Sequence, residues 1–422
     1  MADQSLLAAE PTEDLANEDL VEEELSEGLA DEALVDEAVA DGNVSDENLA
    51  SLQQINQHFA AAVVIPTYQS MVEKTARLVQ ASDAFEKMPT AEALLAFNEA
   101  WREARLAWAK GSAFEFGPVH SLGYGVAIDA PVDTAGIDRV WARLAEADST
   151  EGLGAHSSLR GLGAIAHLLE DVSPAATSSE AVLEAVAPTA GLLDAVLVEA
   201  TDRDPIKRDL EQGATLSWAQ RRYLSQLTRQ VHTAASRLLS VWQVGWNGYP
   251  AYATVLASAG SSDNTAYRSV QSGTEEIIRG LINSLDVVAN ETLPHLITTA
   301  TESSSPLTMD AIGLQLVESQ VQGIQLAYQS YQADLPVRLM QLRTRGIYAA
   351  KSAGISSIVA RVDSEQDQQI QASLSTAMQH LSEAQSQQED PAAVSLALTD
   401  AMDSLTTVQT VLDSDVLPLT QN

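Results

Sequence analysis

The chain has 422 residues, with 59 Asp and Glu against 23 Lys and Arg, giving a formal net charge of -36. That balance argues against a nucleic-acid partner, because phosphate recognition needs clustered Lys and Arg to release counterions, and against adhesion to anionic lipid. The absence of Cys removes disulfides, thiolate metal sites, iron–sulfur clusters and a Cys nucleophile.

Residues 1–50 carry 17 acidic residues and no Lys, Arg or aromatic. With so little apolar surface to bury, they are expected to form a disordered acidic tail. Met1-Ala2-Asp3-Gln4 opens with an acid, so no secretory leader is expected. The longest apolar run, Phe59 to Pro66, is far short of the roughly 18–20 residues that span a bilayer.

From residue 51 the periodicity is helical. Ile55, Phe59, Val63, Met71, Thr75 and Leu78 keep a helical spacing, and Pro66 predicts a kink in that helix. A second helix is predicted over 91–110, followed by an irregular stretch from Gly111 to Ile137 and short helices around 138–147, 156–170 and 178–200. Leu216, Tyr223, Leu227, Val231, Leu238 and Trp242 predict a long helix ending near Gly245. Further helices are predicted over 265–290, 308–330, 334–352, 364–386 and 391–413. Asp390-Pro391 supplies an N-cap and a first-turn proline for the last of them. Almost nothing alternates with period two. The fold class expected is therefore all-α, with a first helical bundle domain over 51–205 and a second over 206–422, joined near Asp204-Pro205.

The usual enzyme signatures are absent. None of His58, His120, His156, His167, His232, His295 and His380 lies in His-Glu-x-x-His or follows a Glu by three residues. Gly346 to Lys351-Ser352 lacks the second glycine of a phosphate loop, and Gly-x-Ser-x-Gly does not occur.

Three stretches do carry information. The first runs from Ala100-Trp101-Arg102-Glu103-Ala104-Arg105-Leu106-Ala107-Trp108 through Phe114-Glu115-Phe116-Gly117-Pro118 to Ile128-Asp129-Ala130-Pro131-Val132-Asp133. The second is Arg160-Gly161-Leu162-Gly163-Ala164-Ile165-Ala166-His167-Leu168-Leu169-Glu170. The third is Glu302-Ser303 with Val321-Gln322-Gly323-Ile324 and Tyr328. In order and spacing they resemble the imelysin family over about residues 51–420.

The resemblance implies two helical domains, each built on a four-helix bundle, with a site near their junction. It implies a place in the periplasm or at the outer membrane, a role in iron or other metal acquisition, a divalent cation or iron as ligand, and envelope iron-transport components as partners. The family motif is Gly-x-His-x-x-Glu. Here Gly161 is kept, but Gly163 stands at the His position and Ala166 at the Glu position. Ser112 stands where the family often has Glu, and Ala130 where Trp is usual. Gly and Ala offer neither a metal ligand nor a general base. A non-catalytic binding protein is therefore expected, with a metallopeptidase and a helical interaction scaffold as the alternatives.

Individual residues carry two readings each. His167 and Glu170 lie one turn beyond the lost pair and could present a displaced His-x-x-Glu, or be ordinary helix residues. Glu115, Asp129 and Asp133 could bind a hard cation through oxygen, while Asp beside Pro also builds turns. Trp101, Arg105 and Trp108 share one helix face, as a ligand-binding surface or as core packing with Arg over a ring. Glu302 matches the family's Glu-Ser, where helix capping would suffice.

Overall fold

The computed structural model describes residues 46–146, 159–172, 216–302, 311–330 and 354–421. Most of the acidic tail and the helices expected over 178–200 and 334–352 lie outside the described residues. The described chain is helical, with one isolated bridge between Trp246 and Tyr249 and no strand.

Helix α1 (Asp46–Phe59) starts inside the stretch assigned to the tail, and α2 (Ile65–Lys87) continues it. The kink expected at Pro66 is instead a widened turn over Ala60–Val64, closed by a bond from the Ile65 N–H to the Ala60 carbonyl. Proline lacks an N–H, and its ring would strike the carbonyl four residues back. Bonding across five residues moves that carbonyl away while the chain stays helical. The same device recurs over Val287–Thr292 before Pro294 and over Leu412–Val416 before Pro418.

Helix α3 (Ala91–Ala109) opens on Thr90, whose hydroxyl accepts from the Ala93 N–H at 3.2 Å. The stretch expected to be irregular contains α4 (Pro118–Ser121) and α5 (Tyr124–Asp129). Helices α6 (Thr134–Ala145) and α7 (Leu162–Val172) follow. Helix α8 (Trp218–Gln243) starts from a full capping box between Ser217 and Gln220. Beyond it come α9 (Tyr252–Ala257), α10 (Val270–Asp286), α11 (Leu293–Glu302), α12 (Ala311–Gln329), α13 (Ile355–Val362), α14 (Ser364–Ser386) and α15 (Pro391–Val411). Asp390 caps α15 through the Ala392 and Ala393 N–H groups, as expected.

Helix α2 packs along both α3 and α8, with α7 beside them. A polar seam joins α2 to α8: Thr75 to His232 at 3.0 Å, Ser82 to Thr228 at 2.8 Å, and Ser225 donating to Asp83 at 2.7 Å. Helix α8 thus packs with the N-terminal helices. Helices α14 and α15 pair with α11 and α12 in the C-terminal group. The two groups meet where α12 crosses α3 and where α10 meets α1 and the turn Ser112–Phe114. One continuous apolar core runs through both.

Close approach at that meeting depends on missing side chains. A Cβ on Gly323 would lie 2.1 Å from the Lys110 carbonyl oxygen, and one on Gly280 would lie 2.7 Å from that of Ala113. Gly323 belongs to one of the stretches singled out in the sequence, and its place in the fold explains why a glycine is needed there.

Candidate functional site

The turn from Lys110 to Gly117 bends the chain away from α3 and lets α4 and α5 fold back beside it. Between them and the C-terminal helices lies a cavity of about 430 Å³, within the range of small-molecule sites. Helix α3 contributes Arg105, Trp108 and Ala109, and the turn adds Ser112 and Glu115. Val119, His120, Val126 and Asp129 come from α4 and α5. The opposite wall is Thr292, Leu316 and Gln320.

Arg105 forms an ion pair with Asp129, and both side chains are largely buried. The Ser112 hydroxyl is paired with Ser284 at 2.9 Å, and Thr292 donates to the Val287 carbonyl at 3.2 Å. Glu115 differs: among the described residues no donor hydrogen-bonds to its carboxylate. Burial raises that carboxyl to about 7, a rise that the Arg105 guanidinium only partly opposes. Tyr68, wholly buried behind it, is raised in turn by burial and by the Glu115 charge. On the far wall, the Gln320 Oε1 is buried without a donor.

Of the residues singled out in the sequence, the fold gathers Arg105, Glu115 and Asp129 at this cavity, with Trp108 beside them. Others go elsewhere. The Trp101 indole donates to the Leu162 carbonyl at 2.9 Å and ties α3 to the first turn of α7. Asp133 is exposed and caps α6 through the Gly136 N–H at 2.9 Å, which is the turn-building reading of that residue. His167 Nε2 lies 2.6 Å from Asp138 Oδ1 and does not line the cavity. The side chains of Glu170 and Glu302 lie outside the described residues, so the His167–Glu170 pairing does too.

The degenerate motif packs on the chain from Ile128 to Val132. Gly161 has a φ of +98°, and a Cβ there would lie 2.9 Å from the Ile128 carbonyl oxygen. A Cβ on Gly163 would meet Val132 Cγ2 at 2.6 Å and point to within 3.6 Å of Asp129 Oδ1. Any side chain at the motif His position would thus meet Val132 first. Ala166 is partly buried on the same helix. Ser112 lines the cavity where the family often has an acid.

A resident metal is not supported by these residues. Among the described residues no three His, Asp or Glu converge on a point that could hold an ion. Asp129 is committed to Arg105, and Glu115 stands without a second free carboxylate. No described helix is long and apolar enough to cross a membrane.

Sequence reasoning missed His120, Thr292, Leu316 and Gln320 as lining residues. For the last two, the available signal was Gly323: the helix that it brings against Lys110 carries Gln320 and Leu316 one and two turns earlier.

Comparison with known proteins agrees with this architecture. A relative from Synechococcus elongatus, iron-regulated protein A, is 32% identical over 238 residues, which cover 56% of this chain and 53% of the relative. The match thus spans about half the length of that protein. A solved structure described as an iron-regulated protein A precursor, from Parabacteroides distasonis, superposes with a TM-score of 0.60 at 16% identity, covering 88% of this chain and 97% of the other. An imelysin-like protein from Psychrobacter arcticus reaches 0.51 at 13% identity, covering 91% and 98%. At these identities the two structures speak to the fold alone. The imelysin family model matches residues 64–412, and the chain belongs to the imelysin family.

Proposed function

We propose that this protein is a non-catalytic imelysin-family member of the cell envelope that serves iron or other metal acquisition by binding a ligand or partner at the cavity between its two helical groups. The observation that carries this reading is the pairing of a built cavity with a dismantled motif. Glu115 is partly buried at the cavity wall, with no donor to its carboxylate among the described residues, while Gly163 and Ala166 offer no ligand or base. The iron context comes from the names of the related proteins.

A hydrolytic metal needs about three protein ligands and an open position, and the described residues gather no such set. Binding of an organic or protein ligand is the chemistry that the cavity favours. The test is genetic. A strain lacking the gene is expected to grow poorly under iron limitation and to be rescued by the wild-type chain. Leu316→Trp, which narrows the cavity from its far wall, is expected not to rescue. Full rescue by that variant, or no iron-dependent defect, overturns the proposal. Chelator-sensitive cleavage of an unfolded protein substrate, lost in His167→Ala, would favour a metallopeptidase instead.

A further inference from the structure

The polar groups of the cavity are unevenly used. Arg105, the cationic side chain of the lining, is occupied by Asp129. The hydroxyls of Ser112 and Thr292 already have partners. What remains is an excess of acceptors: the Glu115 carboxylate, with no donor among the described residues, and Gln320 Oε1, likewise without one. With Arg105 and Asp129 balanced, an ionised Glu115 leaves the lining one negative charge in excess. Around these groups the walls are apolar, formed by Trp108, Val126 and Leu316 among others. Glu115 is partly buried, and a partly desolvated carboxylate with no protein donor gains from a ligand that donates to it. A neutral ligand could donate but would leave the charge unbalanced, and an anion would worsen it. The indole of Trp108, which is 6% exposed, favours a cation beside its face.

We infer that the ligand of this cavity is a small organic cation whose ammonium group donates to the Glu115 carboxylate while its apolar stem lies against Trp108 and Leu316. The inference rests on the reading of the cavity as a ligand site and adds the chemical class of what enters it. A bare divalent ion does not meet the same requirement, because it needs several oxygen ligands at once and Asp129 is already paired. The acidic surface, with its net charge of -36, also raises the local concentration of cations.

Three probes of one shape separate the classes: the 2-phenylethylammonium ion, 2-phenylethanol and 3-phenylpropanoate, titrated calorimetrically into the full chain at pH 8, with Fe(II) and Zn(II) titrated separately. The ammonium ion is expected to bind at least tenfold more tightly than either counterpart. Glu115→Gln should abolish that preference. Val126→Arg, at a half-exposed position on the cavity wall, should weaken the ammonium ion about tenfold more than it weakens the alcohol. Val126→Arg guards against a Glu115 variant that fails to fold. Equal or tighter binding of the alcohol or carboxylate overturns the cationic class while leaving the cavity a ligand site, and so does metal binding without ammonium binding. If no probe binds, the class falls. The cavity reading falls with it only if Leu316→Trp also rescues growth.

Discussion

Replacing Glu115 by Gln keeps the shape of the side chain and removes its ability to ionise. The folded carboxyl titrates at about 7 against an ordinary 4.5, so folding favours its protonated form. The sign follows. Stability that this group contributes is fully present below about pH 4.5 and is lost as pH rises toward and through 7, because the unfolded chain ionises freely while the folded one resists. The displacement corresponds to about 3 kcal/mol once both states are ionised. Water reaching the carboxyl from the cavity trims the figure toward about 2 kcal/mol. Urea unfolding followed by far-ultraviolet circular dichroism at pH 4, 5, 6, 7 and 8, on both chains, isolates the effect, since the other acidic groups cancel in the difference. Glu115→Gln should match the wild type near pH 4 and exceed it by about 2–3 kcal/mol at pH 8. A difference that is flat with pH, or that grows in favour of the wild type, would refute the claim that desolvation at the cavity raises this carboxyl.

Other substitutions probe the surroundings of the cavity. Gly323→Ala places a methyl 2.1 Å from the Lys110 carbonyl oxygen, and a backbone atom cannot step aside, so a loss of about 2–4 kcal/mol is expected by urea unfolding. Arg105→Ala leaves Asp129 charged and largely buried, at a cost of about 3 kcal/mol; adding Asp129→Asn should recover most of it, and a double-mutant cycle measures the coupling. Gly161→Ala combines a left-handed φ with a backbone contact and should cost about 1–3 kcal/mol. Gly163→Ala meets only the tip of Val132, a partly exposed side chain that can turn away, and should cost under about 1 kcal/mol in the same assay. Asp133→Ala, removing the cap of α6, should lower the thermal midpoint by an amount matching about 1 kcal/mol.

How much was legible beforehand depended on the kind of force involved. Helices α3, α14 and α15 were readable nearly to the residue, because Thr90, Asp363 and Asp390 are local caps that act within a few positions. The wide turns were not. Pro66 announces that an ordinary turn cannot continue, yet the choice between a kink and a wide turn is made by the packing of Phe59, Val63 and Val64. Membership of α8 in the N-terminal group was likewise hidden, since its seam with α2 pairs residues about 150 positions apart. At the site, Arg105, Glu115 and Asp129 could be named in advance, but the isolation of Glu115 could not. It depends on which partner Arg105 takes, and both acids were within reach in sequence terms. Asp133 and Trp101 sat in the same informative stretches and turned out to hold helices in place, because Asp and Trp build caps and anchors as readily as sites.

The three wide turns have a consequence for how this chain can change. Each takes in one residue more than an α-helical turn and so restores, on its far side, the face that the extra residue would otherwise have rotated by about 100°. The buried stripes show this as a step of five: Phe59 to Val64, Val288 to Leu293, and Leu412 to Leu417, all buried. Length and phase are thereby uncoupled at three points along the fold. A relative could lose one residue and its proline at any of them and still present the same faces to the same core. An alignment gap of one residue at these places would therefore record a change in winding, with every packing partner kept.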